Sequence, residues 1–190
     1  SIASPPSDRE ALEFYIVKVD DGALTPTLLS LPVGARVHIG RRAVGTFVLP
    51  ELNADSSLFF VSTGTGIAPF ISMLLEQDLV RSGREIHLLH GVRFSCELGY
   101  RELLEQLSHE SVRFHYLPIV SRDDAAWSGP RGYVQSFFKD KRCCPDEKKD
   151  HIFLCGNPAM IEELERGFLG QGFVLKERKT PGNLHCEKYW

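Results

Sequence analysis

A chain of 190 residues with 43% hydrophobic content can bury one large core, or one core and part of a second. Its net charge of −3, with Lys and Arg scattered, argues against nucleic acid as a partner. No apolar run approaches the roughly 20 residues of a membrane span, and five cysteines without C-x-x-C spacing point to a reducing, cytoplasmic setting with neither a disulfide framework nor a structural zinc site.

From Ser1 to about Asp55 the pattern is that of β-structure. Leu12 to Val19 (L-E-F-Y-I-V-K-V), Ala35 to Gly40 (A-R-V-H-I-G) and Thr46 to Leu49 are predicted strands. Between the first two, Thr25 before Pro26 reads as an N-cap followed by the first helical position, opening a short helix that ends by Leu31-Pro32. Its start after a Gly turn is a possible anion site. Three strands and a turn of helix are too few for an independent β domain, because they leave long edges and little core. Residues 1–55 are therefore expected to be the later part of an antiparallel unit, and 56–190 a second domain.

From Ser57 strands and helices alternate. Leu58 to Val61 is a short apolar strand, Thr63-Gly64-Thr65-Gly66 a tight loop, and Ile67 to Leu75 a helix with Ile67, Phe70, Ile71, Leu74 and Leu75 on one face. Further strands are expected at Glu85–Val92, Val112–Val120 and His151–Cys155, and helices at Cys96–Leu107, Gly132–Phe138 and Pro158–Phe168. This βαβαβαβα order calls for an α/β fold, a parallel sheet with helices on both faces and ligands beyond the carboxyl ends of the strands. The Gly-rich loop suits a phosphate, which backbone N–H groups and a helix N-terminus can hold; it also suits an ordinary turn that needs glycine, for it matches neither G-x-G-x-x-G nor the P-loop.

The strand ends carry Thr63-Gly64-Thr65-Gly66, Gly91-Val92-Arg93, Ser121-Arg122 and Cys155-Gly156-Asn157-Pro158. Arg93 and Arg122 stand where an NAD site usually places an acid, which favours NADP; taken singly, Arg122 is equally a solvated loop residue. Cys155 ends an apolar strand with no local base, so it reads as a buried thiol rather than a nucleophile. Cys143-Cys144 lie in a charged connector and are assigned no role. Of seven histidines, His87 and His90 share a strand but, by its period of two, not a face, so no metal centre is expected. The terminal Tyr189-Trp190 pair is expected to be buried against something flat.

In order along the chain, S-I-A-S-P, G-A-L-T-P, S-T-G-T-G-I-A-P-F, V-S-R, L-C-G-N-P-A-M and E-K-Y-W resemble the bacterial ferredoxin (or flavodoxin)–NADP⁺ reductases, and the terminal Tyr-Trp points to their bacterial subclass. The resemblance covers the whole chain. It implies an FAD-binding antiparallel barrel ahead of the NADP domain, entered here at Ser1, the Ser of the family's R-x-Y-S, beside the reactive flavin nitrogen. The FAD contacts it implies are Ser1, Tyr15, Ile16, Val17, Lys18, Ala23, Leu24, Thr25, Thr63, Tyr189 and Trp190. Those implied for NADP are Thr65, Gly66, Ser121, Arg122 and Asn157, with Arg131, Arg178 and Lys179. Cys155 matches the family's cysteine beside the nicotinamide, and Glu187 its carboxylate near the flavin edge. The implied activity is hydride transfer between NADPH and FAD, with single electrons exchanged with ferredoxin or flavodoxin. The chain carries no Fe–S motif, so the carrier is a separate protein; a monomer without membrane insertion is expected. Two other readings stay open: the reductase component of an oxygenase system, and an NADP-binding module without turnover.

Overall fold

The computed structural model describes residues 1–40, 44–76 and 79–188. Five parallel strands, β1 (Leu58–Thr63), β2 (Ile86–Val92), β3 (Phe114–Val120), β4 (His151–Gly156) and β5 (Leu184–Lys188), form one sheet in the order β3-β2-β1-β4-β5. β1 and β4 are near-continuous apolar runs because both of their faces are covered. Period two divides their side chains. Leu58, Phe60, Ile86, Leu88 and Phe153 pack with Phe70 and Leu74 of α2 (Ala68–Glu76) and Leu104 of α3 (Arg101–Glu110). Phe59, Val61, Leu89, Ile152 and Leu154 pack with Val134 and Phe137 of α4 (Val134–Lys139) and with Ile161, Leu164 and Phe168 of α5 (Pro158–Leu169). The chain leaves β1 toward β2 and β3 on one side and returns to β4 and β5 on the other. The carboxyl ends of β1 and β4 therefore flank the switch point where open α/β sheets bind ligands.

Two details of this region differ from the sequence expectation. The helix expected over 96–107 is a 3₁₀ turn (Ser95–Glu97) followed by α3, broken at Gly99-Tyr100. A Cβ on Gly99 would stand 2.5 Å from the Tyr15 ring, and Tyr100 adopts φ +60°, so the chain cannot run on helically there. β5 was not anticipated, because L-H-C-E-K carries little apolar signal. Asn183 sets it up: its Oδ1 accepts the Val174 N–H, and its Nδ2 donates to the Glu147 and Asp150 carbonyls.

The front of the chain departs further. The three strands expected at 12–19, 35–40 and 46–49 form no ladder, 46–49 bending at Val48 whose N–H bonds the Thr46 carbonyl, and the one antiparallel bridge among the described residues there joins Ile2 to Phe14. An extended segment becomes a strand only when a partner takes its N–H and C=O groups, and alternation of side chains cannot supply that partner. The expected helix does form, as α1 (Thr25–Ser30), but Leu24 occupies the N-cap position with no side-chain bond. Thr25 lies inside the helix, where its Oγ1 accepts the Val19 N–H at 3.0 Å. Tyr15, Phe47, Leu49 and Leu52 of this front segment pack on the core beside α2 and α3. Among the described residues no helix is long and apolar enough to cross a membrane.

Candidate active site

β1 runs into one 3₁₀ turn, Gly64–Ile67, before α2 begins. Gly64 has φ +53°, and a Cβ on Gly66 would stand 2.3 Å from the Cys155 carbonyl oxygen, so the loop needs both glycines to lie against the end of β4. Thr63 ties the two strand ends together, its Oγ1 accepting the Asn157 N–H at 2.8 Å. Asn157 in turn caps α5, its Oδ1 accepting from the N–H groups of Ala159 and Met160 at 2.9 and 3.4 Å. Two helix N-termini, of α2 and α5, thus begin at adjacent strand ends.

Beneath the loop lies His90, fully buried opposite Ser62 in the β1–β2 register. Its Nε2 is 3.0 Å from the Gly64 carbonyl oxygen, which can only accept, so Nε2 carries the proton and Nδ1 has no partner. Burial pushes its pKa down to about 4, and the ring is neutral at physiological pH. The sequence reading weighed His90 only as a metal ligand and missed this support of the loop. The available signal was a histidine in an apolar strand, one residue short of the glycine at the strand end.

Beyond the strand ends opens a cavity of about 700 Å³. Its floor is Thr63 to Thr65, Gly91 to Arg93, Ser121, Gly156 and Asn157, and its facing wall is Tyr15 to Val19 of the front segment. Of the residues expected near FAD, Tyr15, Ile16, Val17, Lys18 and Thr63 line it. Ala23, Leu24 and Thr25 do not; they follow the turn that the Gly22 N–H closes on the Val19 carbonyl at 2.8 Å and lead into α1. Tyr189 and Trp190 lie outside the described residues.

Of the residues expected near NADP, Thr65, Ser121 and Asn157 line the cavity and Gly66 is buried behind it. Arg122 is exposed outside the lining, while Arg93 lines it with its guanidinium bound to Glu97 at 2.6 Å. Arg131 is turned into its own loop, donating to the carbonyls of Arg122, Asp124 and Trp127. Arg178 and Lys179 are exposed between α5 and β5, away from the lining. Tyr133, which the sequence did not single out, presents an exposed ring to the cavity beside Gln135 and Glu163. No motif marks these three, since only the fold brings α4 and α5 to the cavity.

The three residues expected to serve the chemistry do meet. Cys155 and Glu187 are register partners at the carboxyl ends of β4 and β5. One carboxylate oxygen of Glu187, Oε2, accepts from the Ser1 hydroxyl at 2.8 Å and from the Cys155 thiol at 3.7 Å. Cys155 is fully buried, one residue before the cavity-lining Gly156.

The Oxidoreductase NAD-binding domain family model matches residues 60–166. The ferredoxin–NADP reductase of Pseudomonas aeruginosa is 33% identical over 201 residues, a match spanning 99% of this chain and 78% of that protein. The flavodoxin/ferredoxin–NADP reductase of Rhodobacter capsulatus is 38% identical over 203 residues, spanning 99% and 74%. The crystal structure of a ferredoxin NADP⁺ reductase from Neisseria gonorrhoeae with bound FAD and NADP superposes with a TM-score of 0.85 at 26% identity, over 99% of this chain and 78% of that one. With its parallel sheet, its glycine loop against the end of β4 and this similarity along nearly its whole length, the chain belongs to the ferredoxin/flavodoxin–NADP reductase family.

Proposed function

We propose that this protein is an FAD-dependent oxidoreductase that passes hydride between NADPH and FAD, and single electrons to or from ferredoxin or flavodoxin. The observation that carries the reading is the convergence of Ser1, Cys155 and Glu187 on one carboxylate oxygen beside a nucleotide-sized cavity.

The residues present fit both cofactors. A Cβ at Gly66 or Gly156 would collide with the Cys155 carbonyl or with Thr63, so these glycines let the loop pack on the end of β4, and that packing brings together two helix N-termini that would hold a phosphate. Thr65, Gly66, Ser121 and Asn157 would hold NADP, with Arg122 supplying charge to the 2′-phosphate and Arg131 supporting Arg122 through its carbonyl. Arg178 and Lys179, exposed and outside the lining, would add positive charge for the phosphates. Tyr15 to Lys18 and Thr63 would hold FAD from the cavity wall and floor, with Ser1, Ala23, Leu24 and Thr25 nearby in the front segment, and the resemblance adds Tyr189 and Trp190 to that set. When bound, FAD supplies the exchange between two-electron hydride chemistry and one-electron release.

The protein's own contribution is positioning. Cys155 is fully buried with its thiol donating to Glu187, so it would act by packing beside the nicotinamide rather than by attacking it. Ser1 and Glu187 form a hydrogen-bonded pair able to hold a proton near the flavin edge. The one-electron partner is a separate ferredoxin or flavodoxin, and the enzyme works as a cytoplasmic monomer. The test is anaerobic mixing of the FAD-supplemented chain with NADPH, followed by addition of ferredoxin or flavodoxin. Bleaching of the flavin and then reduction of the carrier are expected; NADPH binding without flavin reduction would refute the reading.

A further inference from the structure

Four of the seven histidines stand near the amino ends of strands, at the end of the sheet opposite the cavity: His87 on β2, His115 on β3, His151 on β4 and His185 on β5. His151 and His185 satisfy each other across 3.2 Å. His87 and His115 are arranged differently. They are direct register partners on neighbouring strands, with their rings stacked at 4.7 Å and 17°. The other face of His87 lies on Phe59 at 4.6 Å and 11°, which fixes the plane of that ring. Glu85, two residues before His87 and so on the same face of the sheet, hydrogen-bonds to Nε2 of His115.

We propose that Glu85, His87 and His115 form a binding site for one divalent cation of the zinc class, clipping the edge strand β3 to β2. One ligand atom from each residue lies within 4.8 Å of the other two. A tetrahedral zinc ion holds its ligand atoms roughly 3.3 Å apart, a closure that rotation of the half-exposed His115 and Glu85 side chains supplies. Two imidazoles and one carboxylate are the donors that such ions select over calcium or magnesium, and they leave a fourth position for water. The buried Asp150 carboxylate adds negative potential at His87. Arg113 opposes, standing 3.9 Å from the second Glu85 oxygen, but its side chain is exposed and free to turn to solvent. The sequence hides the site because the partner of His87 is not His90 on its own strand but a residue 28 positions away on the next.

The test is calorimetric titration of zinc chloride into the metal-free full chain, beside His115→Ala, Glu85→Gln and a Cys143→Ser/Cys144→Ser double variant that removes the adjacent pair of competing thiols. One zinc per chain with a micromolar Kd is expected. Affinity should fall by about tenfold or more in His115→Ala, less in Glu85→Gln and not at all in the double variant. His115 is half-exposed and its removal leaves the core intact, which equal melting temperatures in EDTA will verify. No binding by the parent chain, equal binding by His115→Ala, or loss of binding in the cysteine variant would each overturn the proposal.

Discussion

Residues 58–188 and residues 1–57 obey different physics. In the first, Phe60 and Phe153 are wholly buried with Phe70, Leu74 and Leu104 of α2 and α3, and Phe47 of the front only adds to the edge of that cluster. In the second, Val37, Ile39 and Val48 are 55%, 63% and 65% exposed, and no residue of α1 is buried. A parallel sheet recruits its own cover, because each crossover is a helix laid on its face. Extended chain without a ladder has no such resource. What holds the front segment in place is contact with the sheet domain: Tyr15 against Gly99 with its hydroxyl on the Glu97 carbonyl, Ser72 on the Ser4 carbonyl and Glu76 on the Ser7 N–H. The cavity lies along this seam, with a rigid floor from one region and an extended wall from the other.

The sharpest way to break this contrast is by truncating side chains. Phe60→Ala or Phe153→Ala should cost about 3 to 5 kcal/mol in urea denaturation, whereas Val37→Ala should stay within about 0.5 kcal/mol. Comparable losses in the two regions would show that the front carries a core of its own.

Acid offers a second probe, confined to the sheet domain. Burial lowers the pKa values of both His90 and His185 to about 4, with His151 adding to the shift at His185. The unfolded chain binds these protons near pH 6.5, while the folded chain does not until about pH 4. Stability is therefore complete above the unfolded value and is lost as pH falls through that window, by up to roughly 3 kcal/mol per histidine. Urea midpoints between pH 7 and pH 4.5 should drop accordingly, and His90→Gln, which keeps a donor for the Gly64 carbonyl without titrating, should reduce the drop. An unchanged slope in that variant would remove His90 from the account.

A smaller effect sharpens the floor of the cavity. If Arg122 contacts the 2′-phosphate, Arg122→Ala loses a charge-assisted bond of roughly 1.5 to 3 kcal/mol. NADPH binding should then weaken about tenfold to a hundredfold with NADH spared. Equal losses for both coenzymes would count against the assignment.

The parallel region was legible because β1, β2 and β4 are largely apolar runs with glycine at or just beyond their carboxyl ends and its helices keep a spacing of three and four. β5 was not, since an edge strand made of L-H-C-E-K buries only its first two residues fully. The three front strands were over-read for the opposite reason: alternation was present in the side chains, but a strand is a property of a pair. No spacing rule links residues 1, 155 and 187; their meeting was anticipated from family resemblance alone. The support His90 gives the loop and the pairing of His87 with His115 were invisible because each joins residues that only the sheet register makes neighbours. Arg131, which the resemblance implies for NADP, also braces its own loop through three carbonyls, a contact no spacing could announce.

In the proposed function the carboxyl ends of β4 and β5 position a nicotinamide for hydride transfer, with Cys155 as a packing group held by Glu187. Anaerobic stopped-flow of the FAD-loaded protein with NADPH tests this directly in Cys155→Ala. Flavin reduction should slow by about tenfold to a hundredfold through misplacement of the ring, while NADP⁺ affinity changes little and no adduct forms on the parent enzyme. An unchanged rate of flavin reduction, or a thiol adduct trapped on Cys155 in a single turnover, would contradict it.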